Sequence, residues 1–436
     1  MLFLGFSAGL PFLLVFGTFS FWLREAGVSR TAIGFFSWVG LAYGIKWAWA
    51  PLVDRLPLPF LTRRLGRRRS WLLFSQVSIA AALAGMALHD PSQSLELMAL
   101  LAVWVAFGSA TQDIALDAYR IEAVARELQA AMAATYMAGY RLAMIMAGAG
   151  ALGIAAMVDG NEATYEQGPW MVSYLTMAAL MSVGIITTLL IHEPEVEPTK
   201  ESREREERGR EWMARNAHLP DRLLRVASWF YAAVISPFMD FIVRYRWYAL
   251  LVLALIASYR MSDVVLGIMS NAFYVDMGFT KGEVAAITKV YGVIMTLVGA
   301  GLTGPVMART GILPVLFVGA VLAAGTNLLF AFLATVGHDT FWLTVVISVD
   351  NFSAGVATAA FIAYLSSLTN VSYSATQYAL FSSIMLLLPK FMGGFSGVAV
   401  DGFGYSSFFV MTAMLGIPVL VLIALAARYA PPAREG

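Results

Sequence analysis

Apolar residues in this chain run in long stretches, and polar residues collect between them at intervals close to one membrane crossing. A hydrocarbon core of ~30 Å is spanned by about 20 apolar helical residues. At that length the sequence predicts twelve spans. The first six are 2–23, 32–53, 70–88, 96–118, 130–158 and 170–191; the second six are 247–275, 283–303, 312–335, 341–365, 378–400 and 407–428. The fifth and seventh are longer than one crossing and are expected to tilt or project beyond it. The first has Gly9-Leu10-Pro11 inside it and no basic segment ahead of it, so it is expected to be a span and not a cleavable signal.

Composition agrees with the pattern. Of 436 residues, 59% are hydrophobic and only 13% are charged, about half the ~25% usual in soluble proteins. The segment from His192 to Arg246 alone holds ten acids and ten bases, so 20 of the 57 charged residues sit in 55 positions and the other 381 residues hold 37. Single soluble cores stop growing at ~250–300 residues, so a soluble enzyme is excluded, as are a disordered chain and a disulfide scaffold. The fold class is all-α integral membrane. The absence of cysteine removes disulfides, thiolate chemistry and Cys-ligated metal. The four histidines fall in predicted loops, so no intramembrane metal or His relay is expected. A net charge of +1 sums loops on opposite sides of a bilayer and points to no nucleic-acid partner.

Basic residues orient the spans. The connection after span two carries Arg55, Arg63, Arg64, Arg67, Arg68 and Arg69, and that after span four carries Arg120 and Arg126. Ten Lys/Arg follow span six, and Arg309 follows span eight. The opposite loops hold only Arg24, Arg30 and Lys281. Both termini are therefore expected in the cytoplasm. The segment 192–246 separates an N-terminal six-helix bundle, 1–191, from a C-terminal one, 247–436. Within it, Leu223, Leu224, Trp229, Phe230, Phe238 and Phe241 alternate with Arg222, Arg225 and Arg244, a pattern for an interfacial amphipathic helix over 219–246.

Six plus six suggests duplication. Pro51-Leu-Val-Asp-Arg55 closes span two as Pro305-Val-Met-Ala-Arg309 closes span eight, and Asp159-Gly160 closes span five as Asp401-Gly402 closes span eleven. Spans four and ten each carry an internal acid, Asp113 and Asp350. A substrate site is then expected between the halves, near the midplane. Charged residues inside spans are functional candidates by default, because burying one is costly unless it is paired or hydrated. They are Lys46, Arg141, Arg260, Lys289 and Lys390, with Asp113, Asp117, Asp263 and Asp350. Five bases against four acids suit an anionic substrate.

One stretch also carries a family resemblance. Asp54-Arg55, then an insertion Leu56-Pro-Leu-Pro-Phe-Leu-Thr-Arg-Arg-Leu65, then Gly66-Arg67-Arg68-Arg69 resembles, in interrupted form, the loop signature of the major facilitator superfamily, with Ala50 in place of its leading glycine. The interruption is similar to that of the AmpG family of muropeptide permeases. So are Gly5-Phe-Ser-Ala-Gly-Leu-Pro11, Lys46-Trp-Ala-Trp-Ala-Pro51, Gln112-Asp-Ile114, Asp117-Ala-Tyr119, Gly139-Tyr-Arg-Leu142, Ser236-Pro-Phe-Met-Asp-Phe241, Lys289, Asp350-Asn351 and Ser374-Ala-Thr-Gln-Tyr-Ala-Leu380. The resemblance covers essentially the whole chain. It implies the major facilitator fold, twelve transmembrane helices in two pseudo-symmetric six-helix bundles, with Asp54, Arg55, Gly66, Arg67 and Arg68 as the conformational motif.

The implied activity is import of anhydromuropeptides across a bacterial inner membrane by alternating access, driven by a proton gradient, with no other cofactor and as a monomer. Asp113 and Asp117 lie one turn apart and repel when both are ionised, so the pair is a candidate proton carrier with Asp263 or Asp350 as its partner. The alternative for Asp117 and Arg120 is an attachment to the basic loop around Arg55. Arg260 and Asp263 are spaced for a local ion pair. Lys46, Gln112, Arg141, Arg260, Lys289, Lys390, Tyr136 and Tyr140 are the substrate-binding candidates; for the tyrosines, ordinary packing is the alternative to stacking on sugar rings. Arg141 and Lys390 lie on counterpart spans and are expected to face each other as anchors for the substrate's anionic end. The alternative for Lys390 is a bridge to Asp350. Rival functions are a permease for another anion such as a siderophore, a non-transporting receptor, and an intramembrane enzyme. Against the enzyme, the chain has no His-Glu-X-X-His and no Gly-X-Ser-X-Gly; it also has no Gly-X-X-X-X-Gly-Lys-Ser/Thr for ATP.

The topology has a direct test on a cysteine-free background. Cysteines placed at Ser92 and Thr164 should react with an impermeant maleimide in intact cells, and one at Ser202 only after lysis; reaction at 202 in intact cells would overturn the map.

Overall fold

A computed structural model describes residues 1–123, 129–159, 164–194, 241–243, 245–368 and 374–429, and every regular element among them is helical. The amphipathic helix expected over 219–246 falls almost wholly outside the described residues, as do the side chains of Asp54 and Arg55. In chain order the helices are α1 (Leu2–Glu25), α2 (30–55), α3 (Arg67–Ala87), α4 (Leu95–Glu122), α5 (129–158) and α6 (Gln167–Leu190). The second half follows with α7 (Tyr248–Asp276), α8 (Lys281–Thr310), α9 (Ile312–Val336), α10 (Thr340–Leu368), α11 (374–403) and α12 (405–429).

Ten helical runs among the described residues are long and apolar enough to cross a membrane. The expected second and eleventh spans are the irregular ones. α2 is a succession of short α and 3₁₀ pieces, from Arg30–Phe36 to Ala50–Arg55. α11 has Pro389 inside it, and it meets α12 at Gly404, where φ of 77° turns a chain that would otherwise continue. Large apolar side chains such as Leu100, Trp104, Leu250 and Leu297 are exposed on the outside of the bundle, as a lipid solvent permits.

Lipid is as apolar as leucine, so packing and buried hydrogen bonds must hold such helices together. Each half carries such a polar network at corresponding places. In the first, Gln76 of α3 accepts from Thr188 of α6 at 2.9 Å, and its amide reaches Ser7 of α1, which also accepts from Gln112 of α4 at 2.8 Å. In the second, Asn327 of α9 donates to Ser262 of α7 at 2.8 Å and to Thr412 of α12 at 3.0 Å. An amide on the third helix of each half thus ties its first helix to its sixth, which is the duplication written in hydrogen bonds.

α1 and α5 approach with their backbones in contact. A Cβ added at Gly139 would run into the carbonyl of Leu2, so the seam closes only with glycine there. Gly139→Leu should destabilise the N-terminal half by about 1–3 kcal/mol through overpacking. Thermal unfolding in detergent would read this as a lowered midpoint, and an unchanged midpoint would show that the seam yields.

Candidate functional site

Ion pairs join the two halves at the face that the charge bias assigns to the periplasm. There Lys281, the first residue of α8, places Nζ 2.5 Å from Glu25 at the end of α1 and 2.5 Å from Asp159 at the end of α5. Trp170, near the start of α6, donates to the other Glu25 oxygen at 2.5 Å, and the ammonium lies 6.0 Å from its ring centroid. The other half repeats the arrangement. Arg30, the first residue of α2, lies 2.7 Å from Asp276 at the end of α7 and 3.2 Å from Asp401 near the end of α11. Tyr405, at the start of α12, donates to Asp276 at 2.6 Å and sits 5.2 Å under the guanidinium.

Each base is therefore held by two carboxylates and an aromatic ring of the opposite half. Arg24 adds a further bond across the interface, to Asp276 at 2.5 Å. The Lys281 and Asp159 side chains are only 4% and 3% exposed, so the first clasp is dry, whereas Arg30 and Asp401 are 30% and 38% exposed. Beneath the clasps, Gly397 of α11 abuts the Arg30 backbone and Gly148 of α5 abuts Lys289. Both contacts join the two halves.

The loop between α2 and α3 fastens the N-terminal half. Gly66 has φ of 85° and lies against Glu193, whose carboxylate accepts from the Arg68 and Arg69 backbone amides at 2.7 and 3.0 Å. A carboxylate at that place satisfies free N–H groups and faces the positive end of the α3 dipole. The Arg68 side chain grips Glu122 at the end of α4 through two bonds, of 2.9 and 2.6 Å. Arg69 caps α6 through the carbonyls of Thr188 and Leu189. Arg67 opens α3.

Two charged clusters lie deeper. In the first, Lys46 of α2 is 3.6 Å from Asp113 of α4, with side chains 32% and 20% exposed. Tyr43, Tyr136 and Tyr140 are within electrostatic reach of Asp113, and the Tyr136 and Tyr140 rings are 6.0 Å apart. Asp117 pairs with Arg120 at 3.5 Å, and that guanidinium lies 5.9 Å from the Tyr136 ring centroid. In the second cluster the expected Arg260–Asp263 pair is present at 2.6 Å, and Arg260 also donates to Thr358 of α10 at 2.9 Å. Asp350 accepts from Thr326 at 3.1 Å and faces Asp263 electrostatically.

Several candidates are placed differently from the sequence expectation. Lys46 is the partner of Asp113, which the reading along α4 alone had set against Asp117. Gln112 is fully buried and braces α4 against α1 through Ser7, so it does not face an opening. Arg141 contacts Met144 of its own helix at 3.7 Å and does not face Lys390. Lys390 instead lies over the Phe16 ring, 4.1 Å from its centroid, and against Gly40. Among the described residues, no carboxylate comes within 4 Å of it, so the bridge to Asp350 is not formed. Lys289 donates to Asn271 at 2.8 Å. Of the clasp residues, the sequence marks Arg24, Arg30 and Lys281 through the charge bias and Asp159 and Asp401 through the repeat, while Glu25 and Asp276 carry no mark of their own. For the bases the signal was present, since Arg24, Arg30 and Lys281 are the only bases in the loops of that face.

Comparison with known proteins places this architecture. The profile of the Major Facilitator Superfamily matches residues 1–272. The anhydromuropeptide permease of Escherichia coli K12 is 33% identical over 425 residues, covering 97% of this chain and 78% of that protein. AmpG 4 of Rickettsia felis is 33% identical over 420 residues, covering 96% and 94%. Among solved structures, a D-xylose–proton symporter superposes with a TM-score of 0.70 at 12% identity, over 99% of this chain and 97% of that one. The xylose transporter XylE of E. coli, in an inward-open conformation, superposes at 0.65 with 11% identity, over 100% and 95%.

Lys281→Met would leave Glu25 and Asp159 facing each other with no base, and removing one partner of a buried pair costs about 3–5 kcal/mol. Spin labels on cysteines at Ser92 and Thr340, exposed in opposite halves, should then separate in most molecules. Arg30→Met, in the wetter clasp, should shift fewer. An unchanged distance distribution in Lys281→Met would show that the clasp does not hold this face shut.

Proposed function

We propose a substrate and an energy source from one premise: this chain belongs to the major facilitator superfamily and, within it, to the AmpG-type transporters. It is a multi-pass membrane permease and not an enzyme. The proposed substrate is an anhydromuropeptide, a sugar bearing a carboxylated peptide, carried from periplasm to cytoplasm across the inner membrane with both termini cytoplasmic. The observation that carries the substrate is the 33% identity to the E. coli anhydromuropeptide permease along nearly the whole of this chain. The five bases inside the spans suit its charge.

Alternating access in this reading uses the two clasps as the outer closure. With them made, the halves are held together at the periplasmic face, and the part-buried Asp113–Lys46 and Arg260–Asp263 pairs are approached from the other side. Opening outward requires both bases to leave the opposite half. The duplicated geometry lets the two sides release as one rocking motion.

Proton coupling is assigned to Asp113, with Asp263 and Asp350 as the acids of the second half. A carboxylate held by an ammonium at 3.6 Å can exchange that partner for a proton. Protonation of Asp113 frees Lys46 for an anionic substrate, and release of the proton restores the pair. Substrate and proton then enter together: the proton alone leaves Lys46 uncompensated, and the substrate alone finds Lys46 still paired with Asp113.

Proteoliposomes test this reading. Labelled anhydromuropeptide should accumulate only with an inward proton gradient. Asp113→Asn should bring internal and external concentrations level while sparing exchange of substrate across the membrane. Gradient-driven accumulation by Asp113→Asn would remove Asp113 from coupling, and failure of the unaltered protein to take up the sugar-peptide would remove the substrate.

A further inference from the structure

Backbone irregularities gather around two lysines. α1 breaks at Phe16, whose φ of −120° and ψ of −94° interrupt the helix between Val15 and Gly17. Across from it, α5 has a π-helical turn at Met146–Gly150, and α8 is π-helical over Val284–Tyr291. α11 carries Pro389. π turns inside α-helices recur at functional sites, and irregular backbone at membrane depth is tolerated where it lines a cavity.

Lys289 lies in the π-helical stretch of α8. Its chain passes Gly148 in the π turn of α5, and its ammonium sits beside Gly17, the first residue after the break. Lys390 follows Pro389 and places its ammonium over the ring of Phe16, the break itself. These two cations, both from the C-terminal half, thus meet consecutive residues of α1, one from the α5–α8 side and one from the α2–α11 side. Both remain part-exposed. Among the described residues, neither has a carboxylate within 4 Å: Lys289 has an amide oxygen, Lys390 a ring face, and Arg260 adds positive potential toward Lys390.

This arrangement contrasts with two of the other bases inside the spans. Lys46 and Arg260 have acids of their own, at 3.6 and 2.6 Å. Two ammonium groups left without acids at this depth are expensive unless something anionic completes them. We propose that Lys289 and Lys390 form a carboxylate-binding subsite at the α1 break, which grips the carboxylates of the substrate's flexible peptide arm while the sugar lies elsewhere. The inference rests on the transport reading above and assigns one part of that substrate to one place. It replaces the Arg141–Lys390 pairing expected from the sequence with Lys289–Lys390, both from the same half. A dianionic arm there would also join the halves through α1, so its arrival and departure act on the helix that carries Glu25 of the outer clasp.

The test separates arm from sugar. Exchange is measured in proteoliposomes for the sugar with its peptide and for the same sugar freed of peptide by an amidase. Lys289→Met and Lys390→Met should each raise KM for the peptide-bearing probe at least about tenfold, the loss of one charge-assisted contact. KM for the peptide-free probe should stay nearly unchanged, and Lys→Arg at either position should restore part of the difference. Equal KM increases for both probes, or none, would overturn the subsite. If the unaltered protein exchanges neither probe, the muropeptide reading fails. Tryptophan emission of detergent-purified protein titrated with glutarate then decides the subsite. Saturable binding lost in both Met variants, with unfolding midpoints retained, supports it; absence of binding ends it.

Discussion

A base at the start of one helix, held between two carboxylates of the opposite half, is the interaction on which this conformation depends. It occurs twice. Lys281 sits between Glu25 and Asp159, and Arg30 sits between Asp276 and Asp401. Among the described residues neither base has an acid partner in its own bundle, so these charges balance only when the bundles are together. A buried pair is weak as a source of net stability but severe when broken from one side. That asymmetry suits a closure that must hold firmly and release as a unit. The aromatic residues on the acids, Trp170 and Tyr405, fix the carboxylates from their own side, so each half presents a preformed socket.

The same economy of polar groups runs through the interior. With lipid outside, a buried amide is specific because few alternatives exist for it. Gln76 and Asn327 occupy matching places and hold matching helices, and the clasps show the same correspondence at the helix ends. The duplication is approximate where function differs. Arg24 has no basic counterpart beside Asp276, since Val275 occupies that position. Lys289 and Lys390 both belong to the second half, while the Lys46–Asp113 pair belongs to the first. The halves share a scaffold and divide the chemistry.

That division gives each charged set a distinct relation to the cycle. The clasp charges satisfy one another only across the interface. The Asp113–Lys46 and Arg260–Asp263 pairs satisfy one another within a half, whatever the halves do. The two carboxylate-free lysines are satisfied by neither. In the transport reading the last set awaits substrate and the middle set exchanges partners for protons. The first then reports whether the cavity is closed. α1 meets two of the three directly, at Phe16 of its break and Glu25 in the clasp, and through Ser7 it holds Gln112, the chain neighbour of Asp113.

The length and spacing of the apolar runs determined the helices, because a bilayer of fixed thickness accepts little else. Unpaired charge inside a span is conspicuous for the same reason, so Asp113, Arg260, Asp263, Lys289, Asp350 and Lys390 stood out before any fold was known. Arg260 and Asp263 could even be paired, since a three-residue spacing on a helix is a distance. Partners on different helices carried no such spacing. Lys46 reached Asp113, Lys390 reached Phe16, and Gln112 turned inward to Ser7 because the rotation and depth of each helix follow from packing against its neighbours. The clasp was least legible of all. Its residues lie at helix ends, where charge is ordinary, and only the closure of two bundles against each other makes Lys281 and Arg30 bases with no acids of their own.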